Sequence, residues 1–201
     1  MRVEALFPLP LGVFDYPDPD GARARVIQWI QEQPRRYVQN EANLTFEDFT
    51  LHLEPCMTEL VPFFMVSLRS FLHSLGFEVP EMTITQCWLN INRPGDRHHR
   101  HHHPNSYVSG VYYLDASPDC GAITFHRPGL VELEPARTRG TTFTFDQWKE
   151  TPRSGQLLLF PSRLEHSVDP NLSSKDRLSI SFNTMFRGVV GSHLQRVDFG
   201  R

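Results

Sequence analysis

The sequence predicts a mainly β fold with flanking α-helices: a jelly roll over about residues 82–186, buttressed by two N-terminal helices. Three observations carry this. Short strand-like runs recur seven or eight times in roughly 105 residues, separated mostly by Gly, Pro, Asn or Asp, which is the spacing of a barrel or double-sheet jelly roll. Sixteen prolines punctuate the chain more often than a helical bundle tolerates. The two stretches with helical periodicity both precede the strands. At 201 residues, with neither internal repeats nor a low-complexity linker, the chain reads as a single domain over 1–201.

The bulk numbers exclude several function classes. A net charge of −3 and a pI of about 6.4 give no electrostatic case for nucleic acid or an anionic membrane. Cys56, Cys87 and Cys120 are odd in number, widely spaced and lack a CxxC pair, so they read as reduced thiols rather than a disulfide framework or zinc finger. No apolar run reaches transmembrane length. An early acid and prolines occupy the place where a signal peptide has its apolar region. The expectation is a soluble, cytoplasmic protein.

In chain order, residues 6–16 are proline-broken and aromatic, an extended lead-in with at most one edge strand. Asp20 is placed to cap a helix over 22–33, with Val26, Trp29 and Ile30 as its apolar stripe and Pro34 as its stop. Residues 35–49 are polar and weakly patterned, and read as loop. A second helix is expected over 55–75, since Leu60, Phe64, Leu68, Phe71, Leu72 and Leu75 recur at helical spacing before Gly76. Strands are expected over 83–92, 107–114, 122–126, 141–145, 156–160, 165–168 and 178–186.

Between the first two of these strands lies His98-His99-Arg100-His101-His102-His103-Pro104, which holds half of the ten histidines. The run is internal and so is not a terminal tag. Two imidazoles at i and i+2 of a strand end can chelate one ion, and a third ligand from a distant strand leaves positions open for oxygen and substrate. Spacing alone admits His99 with His101, or His101 with His103. Strand alternation adds polar faces: Arg177, Ser179, Ser181 and Asn183 on the last strand, and Trp88, Asn90 and Asn92 on the first. If these faces converge inside a jelly roll, burying them is costly without a polar ligand to partner them.

His101-His102-His103-Pro104, then Ser109-Gly110-Val111-Tyr112-Tyr113-Leu114, then His166 and Arg177-Leu178-Ser179 together resemble the non-haem iron, 2-oxoglutarate-dependent oxygenases. More narrowly they resemble a small group with an HxHP…SGVYYL signature, within the prolyl-hydroxylase-like double-stranded β-helix superfamily. The resemblance covers residues 82–186. It implies iron ligands at His101, His103 and His166, and Arg177 at the distal carboxylate of 2-oxoglutarate, where a guanidinium makes a two-pronged charge-assisted contact. Ser179 shares that face, Tyr113 occupies a position whose phenol reaches the same carboxylate, and Asn90 and Asn92 are further candidates for the co-substrate. The implied chemistry consumes O2 and 2-oxoglutarate on Fe(II), releases succinate and CO2, and hydroxylates a C–H bond of an unidentified substrate.

His103 stands where most of the family has a carboxylate. A third neutral imidazole removes one negative charge and favours Zn, Ni or Cu over Fe(II). No nearby acid substitutes, since Glu165 alternates away from His166 and Asp96 sits in a turn. His98, His99 and His102 read as solvated or supporting residues. The rival readings are a cupin-like three-histidine metalloenzyme that does not use 2-oxoglutarate, with no role for Arg177, and a non-catalytic metal-binding barrel. The partners admitted are a small-molecule or peptide substrate and, at most, a second copy of the chain in a homodimer. Arg137, Arg139, Lys149 and Arg153 in the 128–152 segment read as a solvated loop that could also favour an anionic substrate.

Overall fold

In the computed structural model the described residues are 1–18, 20–33, 37–39, 43–46, 49–79, 81–129 and 135–200. In chain order they form β1 (Gly12–Asp15), α1 (Ala22–Gln31), β2 (Tyr37–Gln39), β3 (Leu44–Phe46), α2 (Leu60–Ser74) and β4 (Met82–Asn92). There follow β5 (His98–His101), β6 (Val108–Asp115), β7 (Ile123–His126), β8 (Gln147–Glu150), β9 (Gln156–Pro161), β10 (His166–Val168) and β11 (Arg177–Phe186). A small ribbon of β12 (Val189–Val190) and β13 (Val197–Asp198) closes the described chain.

The eight strands β4–β11 divide equally between two antiparallel sheets. A larger sheet runs β1-β9-β6-β11-β4-β3-β2 and a smaller one β5-β10-β7-β8. The chain passes between the sheets as it goes, which is the double-stranded β-helix expected. Alternation along β6 and β9 sends residues to two different cores. Tyr112, Leu114, Leu157 and Leu159 join the cluster that includes Val26 and Ile30 of α1 and Phe64 and Leu68 of α2. Val111, Tyr113, Leu158 and Phe160 join Ile123 and Phe125 of the smaller sheet. The helices therefore buttress the larger sheet from outside, and the second cluster fills the space between the sheets.

Both helices form where periodicity places them, with different ends. In α1 the N-cap is Gly21, in the left-handed region and with no side chain to offer, so Asp20 does not act as expected. The Asp18 carboxylate instead accepts from the backbone N–H of Arg23 at 3.2 Å. Pro34, the expected stop, lies outside the described residues. The expected long second helix is shortened, because Pro55–Met57 is a separate 3₁₀ turn. Leu75 falls past the last helical residue and is exposed. Gly76, at φ 83°, ends α2, and the N–H of Phe77 bonds back to the carbonyl of Leu72 at 3.2 Å.

Three strand expectations are corrected. Residues 141–145 are not a strand: the N–H of Thr144 and that of Phe145 both bond to the carbonyl of Thr141, and Thr144 Oγ1 accepts from the N–H of Thr141 at 2.9 Å. These local side-chain and backbone bonds compete with a ladder, and the strand that pairs with β7 is β8 instead. The 35–49 stretch holds β2 and β3, which gain their ladder from the edge of β4 through Leu44↔Ile91 and Thr45↔Asn90 rather than from any pattern of their own. β5 consists of His98–His101 and carries no apolar signal at all; its partner β10 defines it.

Gly110 explains one position in the SGVYYL run. It lies opposite Phe182 in the register, and a Cβ there would meet the Phe182 ring at 2.2 Å. That ring is stacked on Phe64 at 4.8 Å, so it cannot yield without disturbing the α2 contact. Gly110→Ala is expected to cost about 1–3 kcal/mol by overpacking, read as a lower urea midpoint, with Phe182→Leu recovering part of the loss in the double variant. Unchanged stability of the single variant would contradict this packing.

Candidate active site

The polar faces expected from strand alternation do converge. Across β4, β11 and β6 the register lays down rows that share one face: Trp88, Ser181 and Val111; then Asn90, Ser179 and Tyr113; then Asn92 and Arg177. From the smaller sheet, His101, His166 and Phe125 form one row, and His98, Val168 and Ile123 another. One cavity between the sheets is lined by residues of both sets, including Asn92, His98, His101, His103, Tyr113, His166, Arg177 and Ser179.

At one end of the cavity, one imidazole nitrogen each from His101, His103 and His166 lies within 4.8 Å of the other two. His101 comes from the end of β5, His166 from the start of β10, and His103 from the turn after β5, whose N–H is held by the carbonyl of Ser162 at 2.9 Å. Trp88 packs on His103 with ring centroids 5.7 Å apart. Nδ1–H of His101 donates to the carbonyl of His99 at 2.8 Å, and Nδ1–H of His166 to that of Leu164 at 2.9 Å. In those tautomers each Nε2 presents a lone pair to its neighbours, the arrangement a metal ligand needs. Of the two pairs the spacing admits, the structure brings together His101 and His103, whereas His99 is exposed.

At the other end Arg177 is 3 % exposed. Its Nη1 donates to the carbonyls of Cys120 and Gly121 at 3.1 and 3.0 Å, and its buried Nε has no partner among the described residues. Gly121 must be glycine for this: it sits at φ +88°, where a Cβ would meet the carbonyl oxygen of Asp169 at 2.2 Å. Asp176 is exposed, and no carboxylate pairs with Arg177 among the described residues. Burial raises the Tyr113 phenol above its ordinary range, with the charge of Arg177 opposing the rise, so the two groups feel one another. Asn92 is 1 % exposed, and neither its Oδ1 nor its Nδ2 has a partner among the described residues. Asn90 differs: its amide accepts from Asn43 and donates to Ser181, both at 2.9 Å, so its hydrogen bonds are already spent inside the protein.

The acids stand outside, as alternation predicts. Glu165 pairs with Arg100 on the outer face, and Asp96 closes its own turn by accepting from the N–H of Arg93 at 2.8 Å. The candidate metal cluster among the described residues is therefore all imidazole. Three loop cations are neutralised: Arg137 by Asp146, Lys149 by Asp169 and Arg153 by Asp15. The residue that sequence reasoning missed is His98, expected in solvent or in support but found lining the cavity, its Nε2 buried and without a partner among the described residues.

Burial is the first cause lowering the cavity histidines, and their mutual repulsion adds to it. His166 falls to about 3, and His98 and His103 to about 4, from an ordinary 6.5. His101 is lowered also, again chiefly by burial. Between those folded values and 6.5 the unfolded chain binds more protons, so the contribution to stability is complete above 6.5 and is lost as pH falls toward the folded values. The metal-free protein is expected to melt at progressively lower temperature from about pH 7 to about pH 4.5, with His166→Phe flattening the slope. A pH-independent melting temperature for the metal-free protein would oppose this.

The cavity thus has three imidazoles at one end, one buried and two half-buried, and at the other a buried guanidinium with no carboxylate partner among the described residues. The donor set fits a divalent first-row metal, and the orphaned Arg177 Nε and Asn92 amide fit an anionic co-substrate. Residues 86–183 match the family described as "Putative 2OG-Fe(II) oxygenase". Those residues, just under half of the chain, include His101, His103, His166 and Arg177, so the site lies within the part that is similar to the 2OG-Fe(II) oxygenases.

Solved structures share the fold. An oxidoreductase of the 2OG-Fe(II) oxygenase family from Burkholderia pseudomallei aligns at TM-score 0.61 and 15 % identity, over 86 % of this chain and 84 % of that one. A prolyl-4-hydroxylase from Pseudomonas putida aligns at TM-score 0.61 and 16 % identity, over 89 % and 94 %. HygX from Streptomyces hygroscopicus, crystallised with nickel, 2-oxoglutarate and hygromycin B, aligns at TM-score 0.61 and 15 % identity, over 88 % and 82 %. No curated protein sequence matches the chain. Among the described residues no helix is long and apolar enough to cross a membrane.

Proposed function

We propose that the protein is a hydroxylase that seats 2-oxoglutarate between a three-histidine iron centre and Arg177. The observation that carries this is the buried Arg177, which faces the histidine cluster across one cavity and has no carboxylate partner among the described residues. A buried guanidinium without an anion is costly, and a dicarboxylate co-substrate supplies the missing charge. His101 and His166 hold the metal through their Nε2 atoms, and His103 supplies one ring nitrogen. When bound there, Fe(II) supplies O2 activation coupled to decarboxylation of 2-oxoglutarate to succinate and CO2, the oxidising power for a substrate C–H bond.

The chain's own residues orient and shield. The Cys120 and Gly121 carbonyls fix the Arg177 fork on one edge and leave Nε free for the distal carboxylate. Ser179, Tyr113 and Asn92 offer donors on the same face, while Asn90 acts by holding Ser181 rather than the ligand. Ile123 and Val168 give apolar walls for the aliphatic carbons, and Phe160 closes the metal end. All of these residues come from one chain, so no homodimer is needed to complete the cavity. The three cysteines are free, as suits a cytoplasmic enzyme. The substrate is a small molecule or a peptide.

Anaerobic addition of Fe(II) and 2-oxoglutarate is expected to produce a weak visible metal-to-ligand band. Admitting O2 is expected to release succinate slowly even without substrate. Folded, iron-loaded protein that develops no band and releases no succinate would sink this reading. It would leave the three-histidine enzyme that works without 2-oxoglutarate, or the non-catalytic barrel.

A further inference from the structure

We infer that His98 is a co-substrate contact: its Nε2–H donates to a carboxylate oxygen of 2-oxoglutarate as that ligand lies between the histidine cluster and Arg177. The inference rests on the proposed seating of 2-oxoglutarate in this cavity.

The backbone places His98 there by an irregularity. In a regular strand His99 would share the face of His101, and His98 would point outward. The pairing of β5 with β10 instead steps from His101↔His166 to His98↔Val168, three residues on one strand against two on the other. That extra residue is a β-bulge, which re-aims the side chains on either side of it. As a result His99 and Arg100 are exposed, with Arg100 held outside by Glu165, while His98 turns into the cavity. Its ring centroid lies 5.5 Å from that of His101, yet its nitrogens fall outside the cluster formed by His101, His103 and His166. It shares a row with Val168 and Ile123, one step from the row of His166, and it feels the charge of Arg177. It therefore flanks the path between the two ends of the cavity.

Its Nε2 is buried and has no hydrogen-bond partner among the described residues. A buried ring nitrogen left unpaired is unfavourable, so the site is incomplete until a ligand meets it. Among the described residues no cavity group meets it: Arg177 is itself a donor, the metal-cluster histidines direct their free nitrogens at one another, and the Asn92 amide is likewise without a partner. An anion in the space between supplies the acceptor. This role also accounts for a bulge within a strand of only four residues.

The test compares His98→Phe, which keeps the ring shape without a donor, with His98→Gln, whose amide nitrogen reaches about as far as Nε2. Metal affinity is measured first, and then 2-oxoglutarate affinity of the nickel-loaded protein by calorimetry, where no turnover occurs. Loss of one hydrogen bond to a charged acceptor is expected to weaken 2-oxoglutarate about ten- to hundredfold in His98→Phe. Nickel affinity should stay within about threefold, and His98→Gln should recover most of the loss. Wild-type affinity for 2-oxoglutarate in His98→Phe overturns the inference. So does an equal loss of nickel and 2-oxoglutarate affinity, which would make His98 a support for the metal ligands. Failure of the wild-type protein to bind 2-oxoglutarate overturns the proposed function itself, so the two failures are told apart.

Discussion

Arg177→Met is expected to weaken 2-oxoglutarate binding at least about 100-fold, because truncating one partner of a buried charged contact costs about 2–5 kcal/mol. The same variant should fold, and without ligands it should melt no lower than the parent. Arg177 is 3 % exposed, and it meets two backbone carbonyls but no carboxylate among the described residues. Removing a buried, uncompensated charge and filling its space with an apolar chain of similar length is neutral to stabilising, by about 1–4 kcal/mol in comparable cases. The carbonyls of Cys120 and Gly121 lose their donor, which offsets part of that gain. The two effects separate in one thermal-shift experiment. The parent should gain melting temperature on adding 2-oxoglutarate and metal, as any protein does whose native state alone binds the ligand. The variant should gain only with metal. Arg177→Lys should fall between, keeping the charge but losing the planar fork. An undiminished 2-oxoglutarate shift in Arg177→Met would remove the main support for the proposed function.

His103→Asp is expected to tighten Fe(II) about tenfold and to lower the preference for Ni, Cu or Zn over Fe(II) by a similar factor. The reason is charge. Three neutral imidazoles bring no negative charge to a dication, and no acid among the described residues joins them. An Asp at 103 supplies one, on the turn that the Ser162 carbonyl already holds. Oxygen is also the harder donor, which suits Fe(II) better than it suits copper or nickel. His166→Ala is the control: it removes a ligand without replacing it and should cost at least about 100-fold for every metal. Competition titrations between Fe(II) and Ni(II) read both effects. If His103→Asp and His103→Ala behave alike, His103 is not a ligand, and the centre has two histidines and an open side.

The candidate site was readable in the sequence to the extent that short spacing and strand alternation control it. Arg177, Ser179 and Ser181 alternate on one strand, so their common face follows from backbone geometry alone, and the i, i+2 spacing of His101 and His103 makes them one of two candidate pairs. His98 broke that rule because a bulge lies between it and His101, and bulges leave no mark in residue type here. Asn90 and Asn92 looked equivalent for the same reason that they share a face. What divides them is Asn43, far away in sequence, which donates to the Asn90 side-chain carbonyl, whereas the Asn92 amide has no partner among the described residues. The strands β2, β3 and β5 were missed because each is held by a neighbour's ladder, a tertiary cause that local pattern does not carry. The 141–145 error has the opposite cause, since Thr-rich β propensity lost to local hydrogen bonds within the turn.

By itself, then, the sequence determined the jelly-roll class, the two buttressing helices, and the residue types that meet in the cavity. Periodicity and turn chemistry are local, and they survive in a linear reading. Only the tertiary structure decided which histidine pair joins His166, that Arg177 is buried with no acid beside it among the described residues, and that His98 faces inward. Those outcomes depend on cross-strand register and on the absence of a partner, and both are properties of residues far apart in the chain.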